Sequence, residues 1–249
     1  MKHLSGHDIR YIWRSGIKHD CAKVMELERN EDGFINGLGE KVNIEDEYVY
    51  PLFKSSDIGN RRTNICRKFV IITQKSVGED TSIIQTAAPK TWEYLCNHND
   101  MLGNRQSSIY KSKPLYSVFG VGDYTFKKWK IAISAFYKKL NFCLVGLIDE
   151  KIVAFDDTVN FLSFDSEDEA KFIYSLLIST PAMKYLNSII FWDEKRPITI
   201  DILRRLSIKA LAHELGFQDV YFSWADFNHI SVTGQLELGI AEEKTRYKV

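Results

Sequence analysis

The order in which strand-like and helix-like segments follow one another most constrains the fold of this chain of 249 residues. Alternating apolar and polar residues on either side of an Asn-Glu-Asp-Gly turn predict a β-hairpin over residues 21–44. The β-branched run Phe69-Val70-Ile71-Ile72-Thr73 predicts a buried strand. Three or four further strands are expected at residues 115–120, 129–136, 142–148 and 152–155, with a tight turn at Asp149-Glu150.

Helix-like segments are concentrated towards the C-terminal end. Ser166 followed by three acidic residues predicts the start of a helix, because a hydroxyl cap and negative charge both stabilise a helix N-terminus. Other helices are expected at residues 82–101, 181–191 and 199–216, with a short helix or turn at 45–57. The pattern predicts an α+β fold with a mixed or antiparallel central sheet and helices concentrated towards the C-terminal end.

Composition excludes several classes of protein. Apolar residues make up 45% of the chain, as in ordinary globular proteins. The chain contains no run of about eighteen consecutive apolar residues, so we expect no membrane-spanning helix. The N-terminus lacks the apolar core of a secretory signal, and the four cysteines are spread singly, without metal-ligand spacing. These features predict a reduced, cytoplasmic protein.

No complete catalytic, cofactor or metal site is visible in the sequence. Enzymes that methylate an exocyclic amine of a base generally hold the flipped base with an Asn/Asp-Pro-Pro-aromatic loop. None of the five prolines is adjacent to another, so that loop is absent. The phosphate-binding loop of nucleotide hydrolases is absent as well, and the glycines of residues 119–124 do not match a dinucleotide fingerprint.

A metal-dependent nuclease is the alternative function that the acidic residues leave open. Glu169 and Lys171 form a carboxylate–x–lysine pair, and Asp156 and Asp157 lie upstream. Such a set can bind a divalent cation and activate water. The competing interpretation is that Glu169 and Lys171 belong to the acidic start of a solvated helix.

Charge is distributed unevenly, although 33 basic residues balance 33 acidic ones. The segment from residue 105 to 139 contains eight basic residues and a single acidic one, Asp123, whereas residues 145–170 contain eight acidic residues and only Lys151. One interpretation is that the two segments neutralise each other across a sheet or are solvated faces. The other is that the basic segment binds nucleic acid.

Several strings, taken together, are more specific than the charge. They are Trp13-Arg14-Ser15-Gly16-Ile17-Lys18-His19-Asp20-Cys21, Val24-Met25-Glu26-Leu27, Asn36-Gly37-Leu38-Gly39-Glu40, Tyr50-Pro51-Leu52-Phe53-Lys54-Ser55-Ser56-Asp57, Thr73-Gln74-Lys75-Ser76-Val77-Gly78-Glu79-Asp80, Ser107-Ser108-Ile109-Tyr110, Phe119-Gly120-Val121-Gly122-Asp123-Tyr124 and Phe191-Trp192-Asp193-Glu194-Lys195-Arg196-Pro197-Ile198-Thr199. In this order they resemble the region after the catalytic domain in adenine-specific DNA methyltransferases of restriction–modification systems. The resemblance covers residues 10–206.

The resemblance implies a target-recognition role. In that family this region binds double-stranded DNA and recognises its sequence, while the catalytic domain flips and methylates adenine. S-adenosylmethionine belongs to the catalytic domain, which this sequence lacks, so we expect no cofactor, no metal and no methyl transfer in this chain. The expected organisation is a single recognition domain over residues 1–249, with a family-like core at 10–206 and a C-terminal extension at 217–249. The expected partners are double-stranded DNA and a methyltransferase catalytic subunit or domain.

Residues expected to contact DNA are concentrated in the basic segment. Arg105, Lys111, Lys113, Lys127, Lys128 and Lys130 are expected to meet phosphates, with Lys138 and Lys139 as further candidates. Gly122-Asp123-Tyr124 would present a side chain at a groove, or instead form a bend in a sheet. Lys54 and Ser55 offer hydrogen-bonding groups suited to DNA, or instead begin a helix. A structural protein that has lost DNA affinity is a third possible function.

Overall fold

The computed structural model describes residues 2–230. Its strands are β1 (Arg14–Ser15), β2 (Glu26–Asn30), β3 (Gly33–Asn36), β4 (Lys41–Val42), β5 (Val49–Phe53), β6 (Lys68–Ile71), β7 (Trp129–Ser134), β8 (Cys143–Val145), β9 (Ala154–Phe155) and β10 (Val159–Phe164). Its helices are α1 (Ala22–Met25), α2 (Ser55–Gly59), α3 (Ile84–Ala87), α4 (Pro89–Asn97), α5 (Asn99–Gly103), α6 (Glu167–Leu177), α7 (Thr180–Ile189), α8 (Ile200–Leu203), α9 (Ile208–Glu214) and α10 (Gln218–Ile230). The predicted α+β class is confirmed, with most helices in the second half.

The strands form two sheets. The first sheet has the order β4-β3-β2-β6-β5-β9 and is antiparallel except for the parallel pair β5–β9. The second sheet has the order β1-β10-β7-β8 and is antiparallel throughout. Among the residues that the structure describes, no helix combines the length and apolar character needed to cross a membrane.

Each sheet has its own hydrophobic core. Helices α3 and α4 pack on the first sheet through Ile84 and Leu95, which join a core that includes Val70. Helices α6, α7 and α9 cover the second sheet, where Ile173 and Leu211 are fully buried. A third cluster, which includes Phe53, Phe155 and Phe161, lies between residues of both sheets. This shared cluster holds the two sheets together.

Several predicted elements are confirmed with changed boundaries. Strands β2 and β3 form the predicted hairpin, although the strand starts at Glu26 because residues 22–25 make one helical turn. The predicted helix over 82–101 is divided into α3, α4 and α5. Asp149 and Glu150 both have positive φ and form the predicted turn, closed by the bridge between Ile148 and Lys151. Ser166 caps α6 by accepting a hydrogen bond from the backbone of Glu169.

Three predictions of secondary structure are wrong. Residues 45–57 contain the strand β5 rather than only a helix or turn. Pro51 is tolerated in this strand because β9 pairs with Leu52 and Phe53, so Pro51 has a neighbouring strand, β6, on one side. Residues 115–120 form no strand and pair only through an isolated bridge at Phe119. The long helix at 199–216 is broken at Ser207, whose hydroxyl caps α9. Of the predicted C-terminal extension, residues 231–249 lie outside the described part of the chain.

A buried carboxylate, Glu26, lies on β2 beside the start of α2. Its Oε1 accepts hydrogen bonds from Lys54 Nζ at 2.6 Å and from His19 Nε2 at 3.3 Å, and Lys68 Nζ lies 3.6 Å from Oε2. His19 Nδ1 accepts from the backbone N–H of Cys21, so Nε2 carries the donated proton. Burial alone raises the pKa of Glu26, but the hydrogen bonds from His19 and Lys54 outweigh it and lower the pKa to about 2.

We expect Glu26→Gln to lower the free energy of unfolding at pH 7 by about 2–4 kcal/mol, because the change removes the buried carboxylate charge that accepts hydrogen bonds from Lys54 and His19. The carboxylate has its ordinary pKa of 4.5 in the unfolded chain and about 2 in the folded one. Its stabilising contribution is therefore complete above pH 4.5 and is lost as the pH falls towards 2. Urea unfolding of both proteins between pH 7 and pH 3 measures this difference.

Glu28→Gln is the matched control, since Glu28 lies on the same strand but its side chain is 59% exposed and pairs with Lys68 at the surface. It should change the free energy of unfolding by less than about 0.5 kcal/mol. A Glu26→Gln protein as stable as the unmodified chain across this pH range would contradict the assigned role of Glu26.

Candidate nucleic-acid interface

A groove of about 450 Å³ opens at the end of the second sheet, where β7 ends and β10 begins. We call it the end groove; the residues lining it include Gly16, Lys18, Phe119, Asn160, Arg196 and Thr199. Its charged side chains are those of Lys18, Arg196, Asp157 and Asp201, and its uncharged polar ones are those of Ser15, Asn160 and Thr199. The groove therefore offers two cationic and two anionic side chains beside several hydrogen-bonding groups.

Two glycines allow the chain segments that line the end groove to approach one another. A Cβ atom at Gly16 would collide with the carbonyl oxygens of Phe155 and Asp156, and one at Gly120 would collide with the carbonyl oxygen of Gly16. Gly120 also has φ 69°, a conformation that favours glycine. The resulting close packing brings residues 16–18 and 119–120 to the start of β10.

Two exposed lysines follow Tyr110, which contacts the groove residues Phe119 and Lys18. The ring of Tyr110 packs edge-on against Phe119 at 5.2 Å, and its hydroxyl donates to the carbonyl oxygen of Lys18 at 3.2 Å. Lys111 and Lys113 follow Tyr110 and are exposed. Two of the predicted phosphate contacts are thus solvent-accessible beside the groove.

Arg105, the first residue of the predicted basic segment, is held by the protein itself. Its guanidinium donates to the carbonyl oxygens of Ser117 at 2.7 Å, Leu102 at 2.7 Å and His19 at 3.3 Å, and lies over the ring of Tyr110 at 3.7 Å. Burial lowers the pKa of Arg105. The side chain fixes residues 102–117 in place and supports the loop that carries Lys111 and Lys113.

A second pair of exposed lysines follows Phe136, whose ring contacts the groove residue Arg196. The guanidinium of Arg196 lies over the ring of Phe136 at 4.6 Å and 3.7 Å from a carboxylate oxygen of Asp157. Lys138 and Lys139 follow Phe136 closely in the chain and are exposed. The structure therefore places these two lysines near Arg196, a residue that the sequence interpretation had not selected.

The remaining lysines of the basic segment lie at the opposite end of β7. Six strand residues, Trp129–Ser134, separate the two ends by roughly 20 Å. Lys127 Nζ is 2.7 Å from Asp165 Oδ2, and Lys128 is exposed beside it. The eight basic residues are thus not collected on one face.

Lys130 was expected to meet a phosphate, but its ammonium group is buried and cannot reach one in this structure. The residue is 1% exposed, and its Nζ donates to the carbonyl oxygens of Lys127 at 2.7 Å and Val153 at 2.9 Å. Burial lowers its pKa to about 7. Residue 130 is buried because both faces of β7 are covered: Ile131 and Ile133 join one core cluster and Ala132 joins another.

Lys54 and Ser55 begin a helix, as the alternative interpretation proposed. Asp57 accepts a hydrogen bond from the backbone N–H of Lys54 at 3.0 Å, and the Lys54 ammonium group contacts Glu26. Ser55 is buried; its hydroxyl donates to the carbonyl oxygen of Thr158 at 2.6 Å and accepts from Ser134 at 2.9 Å. Ser55 is therefore inaccessible to DNA in this structure and connects α2 to the second sheet, whereas Lys54 contacts the first sheet through Glu26.

Residues 122–124 form a bend with a partly buried aromatic ring. Gly122 precedes a 3-10 helix over Asp123–Phe126, and its N–H donates to Thr125. The Tyr124 ring packs against Phe161, and the guanidinium of Arg14 lies over it at 4.8 Å. Asp123 is exposed. The geometry agrees with the interpretation of this string as a bend.

A basic loop that the sequence interpretation missed lies beside Lys138 and Lys139. Residues 60–67, here called the arginine loop, connect α2 to β6 and contain Arg61, Arg62 and Arg67, all of them exposed. Asn60 donates to the hydroxyl of Tyr137 at 3.2 Å. The signal was present in the sequence: residues 58–78 contain no acidic residue.

The arginine loop is anchored through close packing at Gly59. The ring of Tyr137 lies directly on Gly59, where a Cβ atom would collide with it. Asn141 donates to the carbonyl oxygen of Gly59 at 2.9 Å and accepts from Arg61 at 3.4 Å. These contacts tie the arginine loop to the turn that carries Lys138 and Lys139.

The acidic residues considered for a nuclease are engaged elsewhere. Glu169 is buried and accepts hydrogen bonds from Arg10 at 2.6 Å and from the hydroxyl of Tyr11 at 3.0 Å. Lys171 pairs with Glu167 one turn earlier in α6. Within residues 2–230 as described, no group of three or more His, Cys, Asp or Glu side chains is arranged to hold a metal ion. Glu169 serves the packing of the N-terminal segment on α6.

Comparison with known proteins finds one close relative of known type. Over 212 residues the chain is 50% identical to the Type II methyltransferase M.NspV of Nostoc sp. (strain ATCC 29411 / PCC 7524). The match covers 85% of this chain and 44% of that enzyme, so the chain spans less than half of its relative. No family model matches the chain.

A solved structure of the Type IIL restriction–modification enzyme MmeI in complex with DNA aligns with 86% of this chain and 34% of its own, at 10% identity and a TM-score of 0.41. A likeness of this degree supports no conclusion about function.

We expect Gly59→Ala to lower the free energy of unfolding by about 1–3 kcal/mol, because the new methyl group collides with the ring of Tyr137. Gly103→Ala is the matched control: Gly103 also ends a short helix, α5, but has open space where its Cβ would be. The control should be neutral or slightly stabilising, since alanine favours helix. Chemical unfolding of both variants measures the difference, and equal effects would contradict the packing described here.

Proposed function

We propose that this chain is the target-recognition part of an adenine-specific DNA methyltransferase of a restriction–modification system, supplying sequence recognition but not methyl transfer. The similarity of the chain to a Type II methyltransferase supports the assignment to this class of enzyme. The observation that carries the DNA-binding role is the exposure of four lysines in the two segments that contact the lining of the end groove, together with Lys18 and Arg196 in the lining itself.

Electrostatics favour DNA binding at the end groove over the opposite end of β7. Lys111, Lys113, Lys138 and Lys139 are exposed and can neutralise phosphates, which releases counterions and drives association. Lys127, by contrast, pairs with Asp165, which is 79% exposed and precedes the acidic start of α6. The end groove also contains two carboxylates, Asp157 and Asp201, but they pair with Arg196 and Arg204 and are outnumbered by the four exposed lysines of the adjoining segments. At the opposite end Asp165 and the acidic residues that start α6 outnumber Lys127 and Lys128, so we propose that the duplex lies across the end groove.

Methyl transfer is proposed to take place in a catalytic domain or subunit that works with this chain and binds S-adenosylmethionine. The chain lacks the Pro-Pro-aromatic loop expected of an adenine-binding active site, since none of its prolines are adjacent. In this proposal residues 10–206 form the core of one recognition domain, and the protein acts in the cytoplasm, where its DNA substrate lies.

We expect the chain to bind a fluorescently labelled random-sequence duplex with an affinity that falls steeply as salt rises. Replacing Lys138 and Lys139 together with Gln should reduce the slope of log affinity against log salt by about 2, because each lost phosphate contact removes about one unit. The Lys111→Gln/Lys113→Gln double variant should behave alike. Fluorescence anisotropy across a salt series measures all three proteins.

The control is Lys90→Gln/Lys184→Gln, which neutralises two exposed lysines on α4 and α7 and should leave the slope unchanged. A Lys127→Gln/Lys128→Gln variant tests the other end of β7. If that variant alone weakens binding, the duplex lies at the opposite end; if the unmodified chain does not bind DNA, the proposed function is wrong.

A further inference from the structure

We infer that the arginine loop, residues 60–67, enters a groove of the DNA duplex and reads base edges, while Lys138 and Lys139 hold the adjacent phosphates. The inference rests on the proposed function and deepens it, since it assigns sequence readout to one segment. No string of the resemblance to methyltransferases includes residues 60–67. The argument comes from the composition of the loop, its anchoring and its exposed side chains.

The side chains of the arginine loop are those that distinguish bases. Its sequence is Asn-Arg-Arg-Thr-Asn-Ile-Cys-Arg. Arginine contacts guanine O6 and N7 through two hydrogen bonds, asparagine contacts adenine N6 and N7 in the same way, and apolar groups contact the thymine methyl. Amides and guanidinium groups can also bind phosphates, but an exposed isoleucine has no role there and is suited to a base edge.

The two parts of the arginine loop differ in how they are held. Its first residues are fixed: Asn60 donates to the carbonyl oxygen of Ser56 at 2.7 Å, and Arg62 lies 3.6 Å from Asp57. The chain bends at Asn64 and Ile65, and Ile65 is 73% exposed. Among the described residues, no hydrogen-bond partner contacts the side chain of Asn64 or Arg67. A fixed base with unpaired donors beyond it is suited to insertion into a groove.

The neighbours of the arginine loop supply the phosphate contacts that would position it. Tyr137 connects the loop to Lys138 and Lys139 through its hydrogen bond with Asn60. Phosphate contacts fix the register of a protein on the duplex, whereas base contacts give specificity. The carboxylate nearest in sequence, Asp57, is only 18% exposed and lies 3.6 Å from Arg62, so it adds little repulsion for DNA at this surface.

The experiment selects a preferred sequence from a random-sequence duplex library with the unmodified full chain and then compares variants on that duplex and a scrambled one. The test variant is Asn64→Ala/Arg67→Lys, which keeps the positive charge but removes the amide and the planar guanidinium. The matched control is Asn97→Ala/Arg205→Lys, at exposed positions on α4 and after α8. Thermal unfolding confirms that each variant is folded, and anisotropy gives the affinities.

We expect the test variant to lose about 10-fold or more of the preference for the selected duplex, while its affinity for the scrambled duplex changes by less than about 3-fold. The control should retain the preference. An unchanged preference in the test variant overturns the inference. A wild-type chain that binds DNA but selects no sequence overturns it as well. The proposed DNA binding is compatible with both results. A wild-type chain that binds no duplex refutes the proposed function and this inference with it.

Discussion

The parallel pairing of β5 with β9 is the interaction on which the rest of the structure depends. It aligns Leu52 with Ala154 and Phe53 with Phe155, and it brings a segment that leads directly into the second sheet to the edge of the first. Phe53 and Phe155 then pack in the same cluster as residues of β7 and β10. The end groove, the start of α2 and the arginine loop all lie around this junction, so their relative positions follow from it.

Much of the fold could be predicted from local signals, and the predictions that failed concern segments whose conformation depends on burial or strand pairing with distant parts of the chain. Strong periodicity and capping located the β2–β3 hairpin, α6 and α7. Strand β10 was missed because five of its six residues are buried, which removes the alternation that marks a half-exposed strand. Pro51 suggested a turn, because proline is rarely found inside a sheet. It is tolerated in β5 because no second strand among the described residues pairs with it, and this pairing depends on the tertiary structure.

The candidate site was harder to predict, because a count of charged residues along the sequence does not show which side chains point to solvent. Lys128 and Lys130 are two residues apart, yet one is exposed and the other donates to buried carbonyl oxygens. Lys138 and Arg61 are far apart in sequence, yet Tyr137 and Asn141 bring their loops together. Local composition identifies a basic segment, but only the packing of the two sheets shows which basic residues are exposed and which of their loops lie together.

Hydrogen–deuterium exchange of the full chain, with and without a DNA duplex, tests most directly the claim that DNA lies at the end groove. The account predicts slower exchange on DNA binding in residues 60–67, 110–119 and 136–141, the three segments that surround this end of the second sheet. Residues 123–128 and 165–168, at the opposite end of β7, should be unaffected. Protection confined to those two segments, with none at the end groove, would contradict the account.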